Sequence, residues 1–163
     1  MSSTTDRINK LYGEKLRVRV CGILERENTL LLVHHKALGK NGSLWAPPGG
    51  GMEYGENAHE ALKREFLEET GLEVSVGKFL FVHEYLDPPL HGIELFFQVQ
   101  ETGGRIKLGE DPEMPHEDQI LTKLGFYDLE QLKSKNKDSL HYVLQSVNGI
   151  KELINLNGYF KFH

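Results

Sequence analysis

Three glutamates, Glu65, Glu68 and Glu69, fall close together in a stretch that reads as a helix. At about 100° per residue they share one arc, in line with Ala58, Ala61 and Leu62. A stripe that begins apolar, as a core-facing helix requires, thus ends in carboxylates. Glu68 and Glu69 also occupy the last turn, where the helix dipole is negative and each misplaced anion costs roughly 0.3–1 kcal/mol. Like charges at this spacing repel by a further 0.2–0.5 kcal/mol or so per pair. A bound divalent cation removes both penalties together. Hard oxygen donors, with no sulfur or imidazole nearby in sequence, favour Mg²⁺ or Mn²⁺ over zinc. The competing reading is a solvated acidic face paired with Lys63 and Arg64. Two features weigh against it: the alignment with the apolar positions, and the glycine-rich run just upstream, where backbone groups can approach a ligand closely.

The elements that must position these carboxylates are legible around them. Asn57 is a good N-cap, Glu60 stands where a capping-box partner belongs, and Gly71 is a natural terminator. Upstream, Pro47-Pro48-Gly49-Gly50-Gly51 can form neither helix nor regular central strand. Residues 16–24 and 29–34 are apolar runs that read as a hairpin across 25–28, and Asn41-Gly42 marks a turn. Further strands are expected at 78–86, 93–101 and 120–127. A short helix should start near Asp128 and another should lie within 141–156. The first fifteen residues read as a polar lead-in. Strands with two or three helices between them predict an α/β or α+β fold with a mixed sheet.

Composition narrows the function classes. A chain of 163 residues, 39% hydrophobic and 26% charged, fits one soluble globular domain over 1–163. The net charge of −5 disfavours a nucleic-acid partner. No apolar run reaches the roughly 18 residues a membrane span needs. With no secretory signal and a single cysteine, Cys21, the expected compartment is the reducing cytoplasm, without a disulfide framework or a multi-thiolate metal site. Cys21 reads as an inert buried thiol, Trp45 as core or base-stacking, and His34, His35, His83 and His91 as strand-flanking residues.

Gly50, five residues, Glu56, seven residues, then Arg64-Glu65-Phe66-Leu67-Glu68-Glu69-Thr70-Gly71-Leu72 resembles the Nudix box at every defined position. The resemblance implies a Nudix-type α/β/α sandwich around a central mixed β-sheet. It also implies a Mg²⁺-dependent (or Mn²⁺-dependent) hydrolase cutting the pyrophosphate bond of a nucleoside diphosphate linked to another moiety. By the same resemblance Glu65, Glu68 and Glu69 bind metal, the Gly49 carbonyl adds a backbone ligand, and Arg64 orients the glutamates. Glu56 supports the loop, and Gly50 and Gly71 serve backbone geometry. In many members a later loop supplies a further glutamate as base or ligand. Glu117, in the acidic stretch 109–118, is the candidate, with Glu113 behind it.

The chemistry suits these residue types. A diphosphate is a polyanion that bare carboxylates would repel, and divalent ions bridge the two. Pro88 lies near the offset at which family members acting on ADP-ribose carry a proline, and equally fits a plain hairpin turn. An ADP-ribose-like substrate is therefore favoured. The alternatives are a nucleoside triphosphate pyrophosphohydrolase that clears damaged nucleotides, and a non-catalytic nucleotide-sensing module. The second is expected to lack one or more box carboxylates, all of which are present here. The expected partner is a small nucleotide, with no nucleic acid and no membrane, and a homodimer is left open.

Overall fold

The computed structural model describes residues 3–112 and 114–161. Helix α1 (Thr4–Tyr12) leads into β1 (Lys15–Ile23), β2 (Glu25–Arg26), β3 (Thr29–Lys36), β4 (Ser43–Ala46) and β5 (Gly49–Gly51). Helix α2 (Ala58–Thr70) follows, then the long pair β6 (Leu72–Asp87) and β7 (Leu90–Gly104). The chain ends with β8 (Leu121–Tyr127), α3 (Leu129–Lys133), α4 (Tyr142–Gln145), α5 (Ile150–Asn155) and β9 (Gly158–Phe160). One mixed sheet has the order β5-β1-β7-β6-β9, with β1 parallel to β7 and β7 antiparallel to β6. In a second, antiparallel sheet β3 pairs with β2, β4 and β8.

The two faces of the first sheet are covered differently. Val20, Val74, Phe97 and Val99 pack under Ala61, Leu62 and Phe66 of α2. Gly22 lets that helix settle, because a Cβ there would lie 2.3 Å from the Phe66 ring. On the opposite face Cys21, Phe81 and Phe96 meet Leu30, Leu32 and Trp45, with Leu132, Val143, Leu144 and Leu153 from α3 to α5 beyond them. Helices thus lie outside strand layers on both sides, the mixed α/β architecture the sequence predicts.

Three expectations need correction. The polar lead-in is a helix: Ser3 and Asp6 form a reciprocal capping box, and Ile8 is buried against Met114 and Ile120. Its apolar residues Ile8, Leu11 and Tyr12 span little more than one turn, too short a run for the periodic signal to stand out. Second, runs 16–24 and 29–34 are strands but not partners. Both edges of β1 are taken by β7 and β5, and the chain crosses after Leu24 into the other sheet. There the left-handed Glu27 and Asn28 close a two-residue hairpin between β2 and β3. Third, β6 and β7 run well past the predicted 78–86 and 93–101, to Leu72 at one end and Gly104 at the other. The helix expected within 141–156 is two short ones, while the Asp128-capped helix stands as expected.

Candidate active site

Helix α2 takes the shape its sequence predicts. Asn57 accepts the His59 and Glu60 N–H groups, Glu60 accepts the Asn57 N–H, and Gly71 closes the helix in the left-handed conformation at φ 70°. Ala61, Leu62, Phe66 and Thr70 are buried, and Glu65 and Glu69 run along the border of that buried stripe. The carboxylates therefore face inward, against β5, rather than into solvent. Gly50 sits beneath them: a Cβ there would fall 2.3 Å from the Glu65 carboxyl carbon.

Glu69 is held apart from the other two. Glu69 is 7% exposed, and its Oε2 accepts the Gly49 N–H at 3.0 Å. His35 Nε2 stands 3.7 Å from its other oxygen. Arg64 is the hub for the rest. It donates to both Glu56 oxygens at 2.6 and 3.1 Å, to Glu65 Oε1 at 2.8 Å, to Glu68 Oε2 at 3.2 Å and to the Gly51 carbonyl at 3.1 Å. One guanidinium thus ties the glycine loop, the Glu56 turn and two of the three clustered glutamates into one unit.

Electrostatics mark the site as anion-rich and undercompensated. Burial, then the neighbouring Glu69, push Glu65 up to about 7 against the pull of Arg64. Burial also raises Glu68, while the Arg64 hydrogen bond lowers Glu56. Glu65 and Glu68 resist ionisation on burial, which leaves room for positive charge, and the donors are hard oxygens.

The end of α2 shows how the last-turn anions are accommodated. Segment 105–109 lays its backbone across the helix terminus. The N–H groups of Arg105, Lys107 and Gly109 donate to the carbonyls of Gly71, Thr70 and Glu69. Gly109 is required for this approach, since a Cβ there would lie 1.6 Å from the Glu68 carbonyl oxygen. Sequence reading missed that role, which only the packing reveals.

A cleft opens from the carboxylates. Gly49, Gly50, Glu65, Glu68 and Glu69 of β5 and α2 line it, together with Arg19, Glu94 and Tyr85 of the mixed sheet and Tyr142 of α4. Of the expected residues, the structure brings Glu65, Glu68, Glu69, Arg64, Gly49 and Gly50 to this cleft. Glu56 reaches it through Arg64, and Gly71 lies behind at the helix end. Glu117 stands exposed in the short turn His116–Asp118 and is not among the lining residues, whereas Asp111 is. Glu113 lies outside the described residues. Pro88 and Pro89 form the tight β6–β7 turn and are not among the lining residues, although the next residue, Leu90, is.

Trp45 fills the core beside His34 and Tyr127. Cys21 borders the cleft but is buried, and burial pushes its thiol well up, so it stays protonated. Arg19, Glu94 and His141 were not singled out from sequence. The alternation Arg17-Val18-Arg19-Val20-Cys21 could have shown that two arginines share a face with the buried Cys21.

The curated relatives include an ADP-ribose pyrophosphatase of Methanocaldococcus jannaschii, 41% identical over 96 residues, covering 58% of this chain and 56% of that protein. A CTP pyrophosphohydrolase of Escherichia coli is 37% identical over 65 residues, covering 40% of this chain and 48% of that protein. The chain spans about half the length of the curated relatives it matches. Among solved structures, a MutT protein from Methanosarcina mazei superposes with a TM-score of 0.65 at 18% identity, covering 86% and 94% of the two chains, a likeness of fold. The family model of the NUDIX domain matches residues 15–145, and the chain belongs to the Nudix hydrolase family.

Proposed function

We propose that the protein hydrolyses the pyrophosphate bond of a nucleoside diphosphate linked to another moiety, with an ADP-ribose-like compound as substrate. The observation that carries this reading is the inward-facing Glu65, Glu68 and Glu69 at one wall of the cleft, locked by Arg64 and the Gly49 N–H. The donor set fits a hard divalent ion, Mg²⁺ or Mn²⁺: carboxylate oxygens, a burial that opposes their ionisation, and a glycine leaving space under Glu65. Glu65, Glu68, Glu69 and the Gly49 carbonyl would hold it. Such an ion supplies charge neutralisation at the phosphoryl oxygens and a more acidic water.

The chain's own residues do the rest. Arg64 fixes Glu65 and Glu68 at defined distances, and the Gly49 N–H fixes Glu69, so little reorganisation is left for the reaction. Glu68 gives Oε2 to Arg64, and its Oε1, with no hydrogen bond among the described residues, would accept the proton of the attacking water. Attack of the water oxygen on one phosphorus breaks the bridging P–O bond, releasing AMP and ribose 5-phosphate from ADP-ribose. Glu117 could take that proton only if its exposed turn moved toward the cleft, so Glu68 is preferred as base.

The ADP-ribose preference is supported by the name carried by the archaeal relative and by Tyr85 and Tyr142 in the cleft lining, which suit an adenosine or a ribose. A triphosphate reading draws on the CTP pyrophosphohydrolase relative. The two separate by product: with Mg²⁺ present, ADP-ribose should yield AMP, and faster than CTP or dGTP at equal concentration yields a monophosphate and pyrophosphate. Faster triphosphate cleavage would overturn the substrate assignment, and binding without turnover of any of them would overturn the enzyme.

A further inference from the structure

We infer that Arg19 grips the diphosphate opposite the carboxylate wall, and that Glu94, itself clamped by His83 and His141, aims it. The inference rests on the pyrophosphate reading above.

Strand register builds the arrangement. Arg19 of β1 lies beside Gly51 of β5 on one side and Glu94 of β7 on the other, and Glu94 lies beside His83 of β6. One transverse row of the sheet therefore reads Gly51, Arg19, Glu94, His83. The rows above and below read Arg17, Gly92, Tyr85 and Cys21, Phe96, Phe81. The ionic row is the boundary between the open cleft and the apolar core, and its first member, Gly51, belongs to the strand whose Gly50 lies under Glu65.

Glu94 is 6% exposed and His83 fully buried. Glu94 Oε2 accepts from His83 Nδ1 and from His141 Nε2, each at 2.8 Å. Its other oxygen faces Arg19 Nε at 3.4 Å. Burial alone would raise this carboxyl, but His141, His83 and Arg19 outweigh it and hold Glu94 well below the usual carboxylate range. The cluster has the composition of a metal site, yet its hydrogen bonds argue otherwise. Val143 N–H donates to His141 Nδ1 at 3.2 Å, so the proton of that ring sits on Nε2, the atom a metal would need bare.

What the cluster leaves available is Arg19. An arginine serving only to neutralise Glu94 would dock its fork on the carboxylate. Here Glu94 faces Nε alone, at 3.4 Å, while Glu65 and Glu69 act on the guanidinium only through their charge. The side chain is 30% exposed, and it lines the cleft. Two parallel donors on a pinned stem match two oxygens of a phosphate, and a fork held in advance loses little freedom on binding.

The test uses the full chain with Mg²⁺ and methylenediphosphonate, a non-hydrolysable diphosphate, titrated by calorimetry. Arg19→Met should weaken binding roughly tenfold or more, and Arg19→Lys, which keeps a cation beside Glu94 and safeguards folding, by less. Glu94→Gln should weaken binding in the wild-type background and change nothing further in the Arg19→Met background, the mark of a residue acting through Arg19. With ADP-ribose, Arg19→Met should raise KM more than it lowers kcat. Wild-type affinity in both Arg19 variants would overturn the grip. Equal losses from Glu94→Gln in both backgrounds would overturn the aiming role. Should Arg19-dependent methylenediphosphonate binding persist while no nucleotide is cleaved, the enzymatic reading falls and this one stands. Cleavage of ADP-ribose unchanged by Arg19→Met is the reverse.

Discussion

Glu65 offers the sharpest quantitative test, because its environment opposes ionisation in the metal-free protein. Its carboxyl is pushed from an ordinary value of 4.5 to about 7, first by burial and then by Glu69. Between those values the folded chain binds a proton that the unfolded chain has released, so stability falls as pH rises through this window. The full loss above the window is about 3 kcal/mol, from about 1.4 kcal/mol per tenfold change in proton affinity. About 2 kcal/mol of it falls between pH values of about 5.5 and 8. With the side chain 14% exposed, little solvent screening applies. For a chain of this size that corresponds to about 4–8 °C in Tm. Thermal unfolding is followed in EDTA across this range for the wild type and Glu65→Gln, which keeps an oxygen for Arg64 but cannot ionise. Other groups titrate in both proteins, so the difference isolates Glu65. Glu65→Gln should gain about 4–8 °C on the wild type as pH rises from about 5.5 to about 8. Saturating Mg²⁺ should return that stability to the wild type and far less of it to the variant. Parallel Tm curves in EDTA would refute the claim that the site is strained by its own charge.

Three further outcomes are expected. Glu68→Gln should lower kcat by about 10²–10⁴-fold as loss of a general base requires, while Glu117→Gln retains more than about half the rate. The reverse ranking in steady-state assays would return the base to the loop. Gly109→Ala should cost about 2–4 kcal/mol in urea unfolding and depress turnover, because its Cβ collides with the Glu68 carbonyl and pushes segment 105–109 off the helix end. Equal stability would mean that the segment does not hold α2. Ser3→Ala should cost about 0.5–2 kcal/mol by removing the α1 cap, with kcat unchanged, and a drop in kcat would tie α1 to the chemistry instead.

How much of this was legible in the sequence depends on the range of the interaction that fixes each residue. The α2 frame was legible almost completely, since Asn57, Glu60 and Gly71 act within the helix and the inward turn of Glu65 and Glu69 follows from a periodicity of 3.6. The Arg64 hub follows from the same locality: its partners lie within thirteen residues in sequence. The misplaced hairpin marks where locality fails. The apolar runs that became β1 and β3 are equally ready to pair with each other, and which edge β1 uses is settled by β7, some seventy residues away. Glu94 shows the same limit at the site. Its carboxylate looks like any surface charge in a strand until the register sets it between Arg19 and His83 and a later loop brings His141 over it. Buried ionic groups are tolerated only when every partner arrives, and here the three partners come from three separate segments. The carboxylate wall is thus written in one helix, whereas the Arg19–Glu94 pair of the same cleft is written in the topology. For the proposed grip on a diphosphate, the half that sequence conceals is as necessary as the half it displays.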